Sequence, residues 1–266
     1  MSSNIFKWKQ TNNSGFDTSV IYSIATDGTI FVIVGSTGKL ATTTDLIGTW
    51  TQRTSSFDTD GIYAVATDNT TWVIGGSAGK LATATDPTGT WTQVVDSSFE
   101  STDGIDFIIT NGTIWVAAGG SGKLATATDP TGTWTQVVDS SFGTSSIKCI
   151  ATDDTTWCAV SYDGKIATAT DPTGTWTQRT SGLSEDFRKV MTNNDGTMWI
   201  AVGNSGALFT ATDPTKTWTS RTSSFDTSNI YWIKKNNDDW VITGADGKIA
   251  INTDFKTILP AFLPNL

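Results

Sequence analysis

The chain has 266 residues, a formal net charge of −9 and no histidine. A negative field disfavours non-specific nucleic-acid binding. The missing histidine removes His-based triads, most zinc sites and imidazole proton transfer, and two cysteines exclude a disulfide scaffold. No apolar run approaches the length of a membrane span, and MSSNIFKWKQ lacks the apolar core of a signal peptide. Membrane insertion is therefore not expected, and the chain reads as cytoplasmic unless it travels in a larger assembly. Glutamate occurs only at Glu100 and Glu185, while Thr, Ser, Gly, Asp and Trp dominate. That is the composition of short strands joined by tight turns.

From the N-terminus onward the chain repeats. A tryptophan falls at Trp8, Trp50, Trp91, Trp134, Trp176 and Trp218. A second aromatic series is Phe31, Trp72, Trp115, Trp157, Trp199 and Trp240, and a turn glycine recurs at Gly38, Gly79, Gly122, Gly164, Gly206 and Gly247. The stretch GKLATATDPTGTWTQVVDSSF occurs twice, from Gly79 and from Gly122. Three marker series thus give six copies of about 42 residues, the period of a four-stranded propeller blade.

The second copy shows the expected elements. Gly61 to Thr67 reads as a first strand, closed by a two-residue turn at Asp68-Asn69. Thr71 to Gly75 is a second strand, Ser77-Ala78-Gly79 a turn, and Lys80 to Thr85 a third strand. Asp86-Pro87-Thr88-Gly89 has turn chemistry, with proline where φ is near −65° and glycine where it turns positive. Trp91 to Val95 is the fourth strand, and a longer loop leads to the next copy. No helical period competes with these assignments.

The ends of the chain are complementary. Ile5 to Thr11 is an orphan fourth strand, and the last copy, Ile230 to Thr253, lacks one. The expected fold is an all-β, six-bladed β-propeller with four antiparallel strands per blade. Its N-terminal strand completes the C-terminal blade, which removes exposed sheet edges. The propeller is expected over residues 1–255. An apolar tail, 256–266 (KTILPAFLPNL), packs on the ring or docks on a partner such as another virion protein.

The element T-x-T-D-P-T-G-T-W resembles the Asp-box of sialidase-like (BNR) repeats, whose Asp and Trp are also five residues apart. Asp45, Asp86, Asp129, Asp171 and Asp213 match the Asp, and Trp50, Trp91, Trp134, Trp176 and Trp218 match the Trp. The glycine sits one place later here, and Lys216 replaces it in the fifth copy. The longer pattern AVATDNTTWVIGGSAGKLATATD is similar to six-bladed propellers of phage and bacterial surface proteins and of photosystem II assembly factors. The resemblance implies the fold; function is carried by sites rather than by folds.

Sialidases need three arginines on the substrate carboxylate. Of the four arginines here, Arg53, Arg179 and Arg221 share one outer-strand position, and only Arg188 falls on a first strand. The triad is not assembled, so no catalytic residue and no enzymatic activity are expected. The Asp of each DPTG turn is expected to hold its own turn rather than a calcium ion, which wants six to eight oxygens. No cofactor and no metal site are expected. Cys149 and Cys158 are expected to lie directly across from each other, as buried thiols or as a strained pair.

The informative positions vary while their surroundings repeat. At the start of the first strands the copies read Tyr22-Ser23, Tyr63-Ala64, Asp106-Phe107, Lys148-Cys149, Arg188-Lys189 and Tyr231-Trp232. Propeller geometry places these at one mouth of the central channel. Tyr22, Tyr63, Asp106, Lys148, Arg188, Lys189, Tyr231 and Trp232 are accordingly the candidate ligand site: rings stack and charges orient a glycan or protein ligand. The alternative is variation imposed by a crowded axis. Phe16, Phe57, Phe99, Phe142, Leu183 and Phe225 are expected to plug their loops onto the blades. Lys39, Lys80, Lys123, Lys165 and Lys248 either pair with loop acids such as Asp17, Asp58 and Asp226 or form a cationic ring for an anionic glycan.

The expected function is a non-catalytic recognition or structural propeller, with a phage virion role (tail, receptor-binding or decoration) drawn from the resemblance. The alternatives are an assembly factor binding a membrane-protein complex and a sialidase-like hydrolase.

Overall fold

The computed structural model describes residues 14–252 except 181, 183, 184, 194, 237 and 238. The expected N-terminal strand, the apolar tail and Leu183 lie outside the described residues. The described chain forms six antiparallel sheets, four strands in each of the first five and three in the sixth. Each sheet pairs consecutive strands in chain order, the blade pattern of an all-β, six-bladed β-propeller. The chain divides into two compact units, Met1–Val137 and Val138–Leu266, with three sheets in each.

In the second sheet the strands are Ile62–Thr67, Trp72–Gly76, Leu81–Ala84 and Thr92–Gln93. The second and third strands are buried throughout, and so are almost wholly apolar or small. The fourth is exposed and correspondingly polar. Trp91, just before it, is turned inward, 3 % exposed, and packs with Val32 and Leu40 of the preceding sheet and Trp72 and Ala82 of its own. Aromatic burial of this kind, about 150–250 Å² per ring, compensates for a hydrophobic content of only 37 %. Phe16, Phe57, Phe142 and Phe225 are fully buried under their loops, as expected, and Phe99 is half-buried.

The turn between first and second strands differs from expectation. Thr67 pairs with Trp72 and Thr152 with Trp157, so four residues, not two, make the connection. The cause is the aspartate side chain. Asp68 Oδ1 accepts from the backbone N–H groups of Thr70 and Thr71 and from the Thr70 hydroxyl, at 2.9, 2.7 and 2.7 Å. These bonds shape an Asx turn, closed by one backbone bond from the Asp68 N–H to the Thr71 carbonyl at 3.3 Å. The register consequently moves by two residues: Cys149 lies opposite Val160 and Cys158 opposite Ala151. The cysteines are therefore not cross-strand neighbours, and both are free and buried. In the fifth copy the same connection is two residues longer, with Thr192 opposite Trp199.

Candidate functional site

Every first strand carries a β-bulge at its beginning. In the second sheet Ile62 pairs with Gly76 and Ala64 with Gly75, leaving Tyr63 as the extra residue. The same shift isolates Tyr22, Asp106, Lys148, Arg188 and Tyr231 in the other five. A bulge re-aims one side chain out of the strand's alternation. Six of the eight candidate residues are thus bulge residues, and Lys189 and Trp232 directly follow two of them.

A close backbone approach pins each bulge. The carbonyl before it accepts from the N–H at the end of the second strand: Ser77 to Gly61 and Gly120 to Gly104, both 2.9 Å. A glycine makes room in five sheets, since a Cβ at Gly76 or Gly119 would overlap the carbonyl oxygen of Gly61 or Gly104. In the fourth sheet Ser161 takes this place, the matching bond from Tyr162 to Ser146 lengthens to 3.3 Å, and the next residue is Tyr162.

In unit one the structure brings together Tyr22 and Tyr63, edge to face at 5.4 Å between ring centroids. The Tyr63 hydroxyl shares a 2.6 Å hydrogen bond with Ser77 Oγ. Asp106 is half-buried at the equivalent bulge of the third sheet.

Unit two assembles a larger array. Lys148 Nζ lies 4.5 Å from the centroid of the Tyr162 ring. The Arg188 guanidinium carbon lies 6.0 Å from the same ring and 5.1 Å from that of Tyr231. Lys189 Nζ lies 4.5 Å from the centroid of Trp232. Arg188 is further fixed by donating from Nε to Asn204 Oδ1 at 2.6 Å. Asn204 Nδ2 in turn donates to Asp186 Oδ2 at 2.9 Å. Tyr231 and Trp232 remain 45 % and 41 % exposed, so Arg188 and Lys189 sit against rings that still face solvent. Cation–π pairing of this kind orients a charged side chain.

Sequence reasoning missed Tyr162, Asn204 and Asp186. Tyr162 was detectable: the other copies place Ser36, Ser77, Gly120, Asn204 and Ala245 at its position, and one aromatic among small residues is the same kind of departure that marked the bulges.

The remaining candidates are structural. Lys39 pairs with Asp17 at 3.0 Å, Lys80 with Asp60 at 2.7 Å, Lys123 with Asp103 at 2.8 Å and Lys248 with Asp226 at 3.4 Å. Lys165 donates to the Phe142 carbonyl and Ser145 Oγ, both at 2.9 Å. The ammonium groups are spent on loop acids and carbonyls, which overturns the cationic-ring reading. Lys80 takes Asp60 rather than Asp58. Arg53, Arg179 and Arg221 bond Thr42, Thr168 and Thr210 through Nε and lie on or beside fourth strands. Asp86 accepts from Thr88 N–H and hydroxyl, and Trp91 Nε1 caps the Pro87 carbonyl. The hydroxyl bond, then the N–H, holds the Asp86 carboxyl below the ordinary carboxylate range, and Asp129, Asp171 and Asp213 share that shift and its cause. Among the described residues no helix is long and apolar enough to cross a membrane.

A model of the DUF6242 beta propeller domain matches residues 88–254, more than half of the chain. No curated protein matches it. Among solved structures, YCF48 bound to D1 peptide is similar with a TM-score of 0.73 and 18 % identity, over 89 % of this chain and 79 % of that one. The computationally designed Ika8 protein is similar with a TM-score of 0.63 and 15 % identity, over 91 % and 86 %.

Proposed function

Because this chain belongs to the DUF6242 β-propeller family, whose fold serves unrelated activities, we propose from the site alone that it is a non-catalytic recognition module. Its ligand is an acidic peptide segment of another protein, bound at the bulge residues of unit two. The observation that carries this reading is Arg188, whose guanidinium is held through Nε by Asn204 and flanked by the rings of Tyr162 and Tyr231. A guanidinium anchored through Nε directs its remaining N–H groups together, the fork that matches a carboxylate. Lys148 and Lys189 add charge, and Tyr231 and Trp232 offer apolar contact to the peptide's side chains. A structural neighbour of the same fold has a bound peptide, which supports the ligand class and nothing finer.

The partner belongs to a virion or to a membrane-protein complex under assembly, the two settings suggested by the resemblances of the repeat. An array of short acidic and neutral peptides tests the reading. Acidic peptides are expected to bind, Arg188→Ala to weaken them about tenfold or more, and Arg53→Ala to leave them unchanged. Equal binding by the wild type and Arg188→Ala would overturn it. The half-exposed Tyr231 and Trp232 rings also favour a second reading, a stacked glycan. Binding on a glycan array that Trp232→Ala abolishes, with no peptide binding, would establish it instead.

A further inference from the structure

The connection between the first two strands of the third sheet reads Thr110-Asn111-Gly112-Thr113-Ile114. The first sheet has Thr26-Asp27-Gly28-Thr29-Ile30 at the same place, identical but for one residue. Asn111 Oδ1 accepts from the Thr113 N–H, the Thr113 hydroxyl and the Ile114 N–H at 3.1, 2.8 and 3.0 Å. Asp27 Oδ1 accepts from the Thr29 N–H, the Thr29 hydroxyl and the Ile30 N–H at 2.8, 2.7 and 2.8 Å. The counterparts Asp68 and Asp153 keep all three bonds as well. Asn111 is thus an amide in a turn that elsewhere holds a carboxylate, and each of its bonds is longer than the matching bond of Asp27. It stands at the far end of the first strand from the bulge at Asp106, so it is independent of the proposed peptide site.

We propose that Asn111 is a site of spontaneous deamidation, promoted by its own turn and resolved to aspartate. It is the one asparagine in the chain followed by glycine. The Gly112 nitrogen bonds to Asn111 Cγ, the Cγ–Nδ2 bond breaks, and the Gly112 proton leaves with the amide nitrogen as ammonia. A five-membered imide remains. Negative charge develops on Oδ1 in that step, where three donors already point, and donors preorganised at a developing oxyanion lower the barrier. Thr110 Oγ1 accepts from the Gly112 N–H at 3.0 Å and donates to the Ile114 carbonyl at 2.9 Å, which fixes the plane of the attacking amide. Gly112 is exposed, and nothing lies within 4 Å of where a Cβ would stand, so no side chain crowds the imide and water reaches it. Water adding at Cγ restores the backbone and gives aspartate. Water adding at the main-chain carbonyl gives isoaspartate, which lengthens the backbone by a carbon and displaces the group that collects the three bonds. The turn favours the first product: the Ile30 N–H, then the Thr29 hydroxyl, hold the Asp27 carboxyl below the ordinary carboxylate range, so the ionised side chain suits this turn.

The full chain, folded and unfolded in urea, is incubated at mildly alkaline pH, and peptide mass spectrometry resolves asparagine, aspartate and isoaspartate at position 111. In the folded chain Asn111 is expected to convert faster than any other asparagine and to give mainly aspartate, whereas the unfolded chain gives mainly isoaspartate. Thr113→Val, which lacks the hydroxyl donor, is expected to slow the folded-state reaction several-fold and to leave the unfolded rate unchanged, and Thr113→Ser to keep the wild-type rate. Asn111 intact in the folded chain while the unfolded chain converts would mean that the turn protects the amide, and the proposal would fall. It would fall equally if folded Thr113→Val converted as fast as the wild type. Asn111→Asp, which carries the product, is expected to raise the melting temperature at neutral pH; a lower one would contradict the preference of the turn for a carboxylate.

Discussion

Arg188 donates from its guanidinium Nε to the side-chain carbonyl of Asn204 at 2.6 Å, and Asn204 is itself held by Asp186 at 2.9 Å. Asn204 opens the turn after the second strand of its sheet, and Arg188 is the bulge residue of the first. The bond thus ties together the two elements that vary most from copy to copy. On the proposed reading Asn204 is a positioning residue: it restrains a long side chain whose rotamer freedom otherwise opposes binding. Asn204→Ala is expected to weaken acidic-peptide binding several-fold while leaving the melting temperature nearly unchanged, because both groups are only half-buried. Parallel calorimetric titration and thermal denaturation separate the two effects. A large fall in melting temperature with unchanged affinity would make the bond merely structural.

The glycine that seats each bulge is a steric requirement. Gly119 has an extended backbone (φ −177°) that any residue adopts, but a Cβ there would overlap the Gly104 carbonyl oxygen. Gly119→Ala is expected to destabilise the chain by about 1–3 kcal/mol, the usual cost of overpacking. Ser161→Gly is expected to cost far less, because the fourth sheet already accommodates a side chain through the longer Tyr162–Ser146 bond. Denaturant midpoints measure both, and equal effects would contradict the steric account.

The DPTG turns predict an acid limb of stability. Threonine hydroxyls, then backbone N–H groups, hold the carboxyls of Asp86, Asp129 and Asp171 below their ordinary value. The ionised form is thereby favoured in the folded chain. This stabilisation is complete above the unfolded carboxylate value near pH 4 and is lost as the pH falls through the lower folded value. Melting temperature is expected to fall below about pH 4. Thr88→Val, Thr131→Val and Thr173→Val together are expected to flatten that fall. An unchanged acid limb in the triple variant would remove the turns from the explanation.

Burial pushes both thiols up, and the neighbouring Cys149 adds to the rise at Cys158. A thiol kept protonated and inaccessible is inert. Ellman's reagent is expected to find no reactive thiol in the folded chain at pH 8 and two after denaturation. Rapid labelling without denaturant would show that the fourth sheet opens.

Much of the fold was legible because each repeat marks the same physical duty. Trp91 and its counterparts recur wherever one sheet must pack on the next, and the polar Thr92-Gln93 pair recurs wherever a strand faces solvent. What was illegible depended on register. Asp153 reads as part of a two-residue turn until its carboxylate is seen collecting three hydrogen bonds, and that difference moves Cys158 from opposite Cys149 to opposite Ala151. The bulges were hidden for the same reason: Tyr63 and Arg188 stood out by their variation, but only pairing shows that they leave the strand's alternation. Lys80 pairs with Asp60, an acid where the corresponding loops of Lys39 and Lys248 carry Ser19 and Ser228.

Whether the bulge residues of unit two form the ligand site is tested most directly by amide chemical-shift mapping. Isotope-labelled chain is titrated with the tightest acidic peptide from the array. The largest shifts are expected to cluster at Lys148, Tyr162, Arg188, Lys189, Tyr231 and Trp232. Shifts centred instead on Arg53, Arg179 and Arg221 of the fourth strands, with the bulge residues unmoved, would contradict this assignment.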